Sequence, residues 1–252
     1  MDYIIEKQGE YKMKDLNELL KRAIILVCLS DRCAQEKNVV GGISRPFEAR
    51  KQQCEAICVW LKKMGYMDDA TDEERNVFEK ELHTSKDDEI LRLQIDYECI
   101  EPILWTVGLV EKMSNYDLYV FTDFHPALCF GREHSLEKLI PACKIVSAEQ
   151  FDEKREEAML VYWRCLEAKS EIINEKGLDK SIGEVFGAKY VETLLKMEMY
   201  DDKKKDFIVN NKEISELAEA ELSRLSTIAE RRFYAFEWMA GDEKWDSVDL
   251  VC

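Results

Sequence analysis

Glycine and proline are scarce, at 10 and 4 residues in a chain of 252. With few breakers and abundant Glu, Lys, Leu and Ala, the composition favours helix over sheet. Histidine is scarcer still. His83, His125 and His134 show no HExxH or other ligand spacing, so no metal site is expected. No glycine-rich phosphate loop and no GxSxG elbow is present, and no cofactor is implied. No apolar run approaches the ~20 residues of a membrane helix. The run AIILVCL at 23–29 is short and follows a segment rich in both charges, which makes a poor signal peptide. Membrane association is therefore not expected.

Excess positive charge is also lacking. The formal net charge is −16, which disfavours nucleic acid as a partner, because phosphate binding needs basic patches. The charge is uneven. Residues 1–64 hold 12 Lys or Arg against 9 Asp or Glu, and the remainder holds 24 against 43. An acidic face of this kind suits solubility, and it also suits a basic protein partner. The nine cysteines are an odd number without a CxxC pair, and several sit among apolar helical residues. Free thiols in a reducing compartment, the cytoplasm, are the expectation.

What is present is helical periodicity. The stretch Ile90–Met113 carries Leu93, Tyr97, Ile100, Leu104 and Val107 on one face. Leu91, Ile95, Glu98, Pro102, Trp105 and Leu109 line another. A helix apolar on two faces is buried between others, so this one is expected to form the centre of the core. Glu98 stands out on the second stripe. Either it reaches solvent from a half-exposed turn, or it belongs to a buried polar site.

Further helices are expected at about 14–33 and from Pro46 to Gly65, the latter burying Phe47, Cys54, Ile57, Cys58 and Leu61. Thr71 with Glu74 and Ser147 with Gln150 are capping-box patterns, each opening a helix. Residues 178–200 read as one helix, and 214–240 as the last, ended by Gly241. The segment 114–146 is the least legible and reads as loop with short helix. FIVNNKEI fits a hairpin about Asn210 and Asn211, or a loop. The expected architecture is all-α: a compact multi-helix domain over 14–252, with at most a small irregular or hairpin insertion, preceded by a segment at 1–13.

The last helix repeats the anomaly of Glu98. Leu225, Ile228, Ala229, Arg232, Ala235, Phe236 and Met239 share a face, with Arg232 in its middle. Arg232 either snorkels to water or is buried and paired, with Glu98 and Asp246 as candidate partners.

ERRFYAFEWMAG followed by KWDSV resembles the C-terminal signature of the family known as domain of unknown function 4272. Arg232, Ala235, Trp238, Met239, Trp245 and Asp246 carry that resemblance. YECIEPILWTVGL is similar to a second family segment through Glu98, Leu104, Trp105 and Gly108, although Asp96 or Tyr97 stands where the family has Arg. After Asp246 the tail also departs, with Ser-Val-Asp in place of Asp-Thr. The resemblance implies a largely helical, soluble fold and no particular activity.

Two functional classes remain. One is a protein-binding or protective module with an acidic surface turned towards a basic partner. The other is an enzyme or small-ligand binder with a polar pocket at Glu98, Arg232 and Asp246, with Trp238 and Trp245 beside it. The first requires an exposed acidic patch, whereas the second requires the three polar residues to converge on a cavity.

Overall fold

The structure is a computed structural model that describes residues 13–37, 39–40, 43–129, 131–170 and 178–250. Helix α1 spans Leu16–Ala34, and the Asp15 side chain caps it by accepting from the Glu18 N–H at 3.0 Å. Leu19, Leu20 and every residue from Ala23 to Leu29 are at most 1% exposed. This helix, rather than the 90–113 stretch, is the deepest in the fold. The reason is that neighbours pack on all its sides: α2 (Phe47–Lys63), α3 (Asp72–Glu79), α4 (Asp87–Ile95), α5 (Ile100–Thr106) and α6 (Ser135–Leu139).

Local signals place several helix ends. Gly65, at φ +71°, ends α2, with Tyr66 N–H donating back to the Leu61 carbonyl at 2.9 Å. Thr71 and Glu74 form both bonds of a capping box on α3. Ser147 and Gln150 do the same for α7 (Ala148–Ser170). Phe47, expected inside, is 44% exposed and lies stacked on the His83 ring instead.

The stretch from 90 to 113 is three pieces, not one helix. Between α4 and α5, residues Asp96–Cys99 form a 3-10 turn. Pro102 accounts for the break, because it has no N–H to bond the carbonyl of residue 98 in a continuous helix. As third residue of α5 it needs none. Gly108, at φ +75°, then stops α5, and Leu109 N–H returns to the Leu104 carbonyl at 2.8 Å. Leu91, on the expected second stripe, is 59% exposed.

The C-terminal part wraps α7 against α10 (Glu219–Ala240). The 178–200 stretch is likewise broken, into α8 (Leu178–Val185) and α9 (Ala188–Lys196), at Gly187 with φ +94°. A two-stranded pair, β1 (Val39–Val40) and β2 (Ile43–Ser44), lies between α1 and α2, and a small antiparallel sheet follows α9, with β3 (Tyr200–Asp201), β4 (Asp206–Val209) and β5 (Lys212–Glu213) in that order. Asn210 and Asn211, both at positive φ, make the two-residue turn between β4 and β5. The fold is thus mostly helical with a small sheet insertion. One core gathers around α1, α5 and α10, and a second lies between α7, α8, α9 and the sheet.

Candidate functional site

On α10, Ile228, Ala229, Ala235, Phe236 and Met239 are fully buried on the face that carries Arg232, and Arg232 is 0% exposed with them. Its guanidinium faces the 3-10 turn and the first turn of α5. Nη2 lies 3.3 Å from Glu98 Oε2 and 3.5 Å from Glu101 Oε2. Nη1 donates to the Ser114 carbonyl at 2.5 Å, and Nη2 to the Asn115 carbonyl at 3.3 Å. The Tyr116 ring stacks on the guanidinium at 4.7 Å. Glu98 Oε1 accepts from Val120 N–H at 2.6 Å, and Glu101 Oε1 from Ser114 Oγ at 2.7 Å. Burial raises the Glu98 carboxyl above its ordinary range, with Arg232 and the Val120 bond pulling the other way. Burial likewise pushes the Tyr116 phenol well up.

Glu101 was not among the residues singled out by the sequence pattern. Its signal is there in retrospect: three residues after Glu98, it returns on the same side of a tight helical turn. Both glutamates are 2% exposed, so two carboxylates share one guanidinium in a dry setting.

The tail does fold back, but onto a different arginine. Trp245, in a 3-10 turn, packs edge-on against Trp238 at 5.1 Å and Tyr234 at 5.2 Å. Tyr234 OH donates to the Trp245 carbonyl. The Arg22 guanidinium lies over that indole at 4.7 Å. Arg22 is itself buried, bound by both oxygens of Glu74 at 2.8 and 2.9 Å and by the Asp69 carbonyl at 2.8 Å. Asp246 lies outside the Arg232 cluster. Its carboxylate is exposed, accepts from Ser247 Oγ at 3.1 Å, and lines a cleft of about 330 Å³ together with Trp238, Trp245, Glu18, Asp68, Asp69 and Asp72. Of the five residues singled out in the sequence, Arg232 and Glu98 therefore meet in the core, while Trp238, Trp245 and Asp246 meet at this cleft.

The family profile Domain of unknown function (DUF4272) matches residues 3–183. The chain belongs to this family. No curated protein and no solved structure matches it. The span matched to DUF4272 contains Glu98, Glu101, Arg22 and Glu74 but ends before Arg232 and the Trp-Asp tail. In this DUF4272 chain, the C-terminal elements thus supply the cation to one buried pair and the covering indole to the other.

Further charged groups inside the fold had no sequence signal of their own. Arg164, on α7, makes two bonds to Asp206 at 2.9 and 2.7 Å, both residues being buried. Arg231 holds Asp96 at 3.2 Å and stacks on Tyr234. His125 is flanked by Asp31, 2.9 Å from Nε2, and by Asp123 at Nδ1. Bonding to Asp31, then to Asp123, raises the imidazole from its ordinary 6.5 to about 9 despite partial burial. Among the described residues, no group of three His, Cys, Asp or Glu side chains is arranged to hold a metal ion. The described cysteines, Cys28, Cys33, Cys54, Cys58, Cys99, Cys129, Cys143 and Cys165, are free thiols. No described helix is long and apolar enough to cross a membrane.

Proposed function

We propose that this chain is a protein-binding module that receives a basic partner on its acidic surface, with the cleft at the tail as the point of contact. The observation that carries the reading is how the charges at that cleft are disposed. Its cations are mostly committed: Arg22 to Glu74, Lys21 to Asp69 at 2.8 Å, and Arg75 to Asp72. Asp68 and Asp246 have no cation of their own among the described residues, and Lys244 is the lining cation left without a carboxylate. Trp238 and Trp245 line the cleft under resident cations, Lys14 and Arg22, and Asp68 and Asp246 are its carboxylates without a cation. That combination suits a Lys or Arg side chain whose head meets those acids. The free thiols support a reducing compartment, and we place the protein in the cytoplasm on that ground.

An enzyme or small-ligand site built on Glu98, Arg232 and Asp246 has less support. Asp246 stands apart from the other two, and the Arg232 guanidinium already holds two carboxylates and two carbonyls.

The test is fluorescence anisotropy with a labelled Lys/Arg-rich peptide. The double variant Asp68→Asn/Asp246→Asn should weaken binding roughly two- to tenfold, the range expected for two rim charges. A control double variant, Glu149→Gln/Glu153→Gln on α7, should leave it nearly unchanged. Equal effects from both pairs would reduce the binding to undirected electrostatics and end the proposal.

A further inference from the structure

The connection from Val107 to His134 contains no helix or strand among its described residues. Structureless connections beyond ~12–15 residues are uncommon in compact domains and are usually functional. This one is far from loose. Arg232 takes the carbonyls of Ser114 and Asn115 and lies on the Tyr116 ring. Glu101 takes the Ser114 hydroxyl, and Glu98 the Val120 N–H. Tyr97 OH donates to the Thr122 carbonyl at 2.7 Å, Phe124 is buried against Tyr97, and His125 reaches Asp31 on α1.

Between these clamps two apolar side chains are left outside. Leu118 is 54% exposed and Phe121 84%. Full burial of such side chains is worth ~1.5–3 kcal/mol each, a gain that the chain alone forgoes at these two positions. Buried ion pairs add little net stability, but here the Arg232, Glu98 and Glu101 side chains bond the loop at Ser114, Asn115 and Val120. A loop held by buried charges that displays a phenylalanine is a rigid aromatic anchor.

We infer that the 114–124 loop is a preorganised docking element, with Leu118 and Phe121 entering an apolar pocket of a partner protein whose rim is basic. This rests on the partner-binding reading above and gives that partner a second point of contact. The basic rim follows from charge. Asp117 flanks Leu118 without an ion pair among the described residues, Asp123 beside Phe121 shares its charge with His125, and the chain's carboxylates give a net charge of −16. Lys and Arg around the receiving pocket would complement them. An anionic lipid surface would meet repulsion from the same groups, and a second copy of the chain would bring like charges together.

The experiment is selection of peptides from a random display library on the purified full chain, followed by anisotropy with the selected peptides. The expected peptides carry Lys or Arg around aliphatic or aromatic residues and weaken as ionic strength rises. Phe121→Ser should reduce their affinity about tenfold or more, as loss of a central aromatic anchor does. Leu118→Ser should act in the same direction. Both positions are exposed, and unchanged urea midpoints will show that the fold is intact. Basic peptides that ignore Phe121 but respond to Asp68→Asn/Asp246→Asn would overturn the loop proposal and leave the cleft reading standing. Selection of non-basic peptides, or of none, would overturn both. Phe121-dependent binding to phosphatidylserine vesicles, or Phe121-dependent self-association, would replace the protein partner by a membrane or a second copy.

Discussion

Removing the Arg232 charge tests whether its cluster is a closed structural unit. In isolation, an arginine–carboxylate pair can be exchanged for apolar side chains at little cost, since desolvation offsets attraction. Here the pair is a triad. At an effective dielectric of about 20, each carboxylate at 3.3–3.5 Å gains about 5 kcal/mol of attraction, which is comparable to the cost of drying the ions. The net worth of the intact triad is therefore small. Arg232→Met would nevertheless leave Glu98 and Glu101 buried without a cation, and the Ser114 and Asn115 carbonyls without that donor. The expected cost is about 3–5 kcal/mol, the range for breaking a buried pair by removing one partner. Glu98→Gln and Glu101→Gln keep the shapes while deleting the charges. The triple variant should therefore recover most of the loss, with a coupling energy well above the ~0.5 kcal/mol of independent sites. Urea denaturation supplies the measurement, read from the midpoint at constant slope. An Arg232→Met cost below about 1 kcal/mol, or strict additivity in the triple variant, would refute the reasoning, because the two glutamates would then not depend on this arginine.

Three further outcomes are expected. Gly108→Ala should destabilise by more than the ~1–2 kcal/mol of a left-handed backbone alone, because the added methyl also meets the Lys144 carbonyl; a loss under 1 kcal/mol in urea would contradict the tight approach. The His125 imidazole titrates near 9 in the folded chain against an ordinary 6.5, so its contribution to stability is complete below about 6.5 and lost as pH rises through about 9. Its NMR titration should show the high value, and His125→Gln should flatten the fall of the urea midpoint over that window; a midpoint near 6.5 would dismiss the two carboxylate bonds. Burial raises the Cys28 and Cys99 thiols well above their usual range and Cys33 to about 12, so thiol reagents should reach these three only after denaturation, and rapid native labelling of any of them would place it wrongly in the core.

The parts of the fold legible in the sequence were those decided locally. Capping at Thr71 and Ser147 and the stops at Gly65 and Gly241 each depend on residues a few positions apart. The 90–113 stretch misled because apolar periodicity continues through Pro102, whose missing N–H breaks the backbone ladder without disturbing the pattern of side chains. The candidate site was half legible for the complementary reason. A charged residue inside an apolar stripe announces that it needs a partner, as Arg232 and Glu98 both did, but the partner's identity depends on the path of the chain. Asp246 was a plausible partner by proximity to α10, yet the tail turns towards α1 and delivers Trp245 to Arg22. The Arg22–Glu74 and Arg164–Asp206 pairs gave no warning at all, since Glu74 and Asp206 look like an ordinary cap and an ordinary charged turn.

The position of α1 at the centre of its neighbours also sets an order of events for a chain made from its N-terminus. Its apolar run, Ala23–Leu29, is made before α4, α5 and α6, which cover it and end only at Leu139. Until then the helix has few places to put its side chains, and contacts so distant along the chain close slowly. A nascent chain therefore carries, until residues as far as Leu139 are made, an uncovered hydrophobic segment of the kind that recruits chaperones or aggregates. Slower growth or added holdase during expression should raise the folded yield.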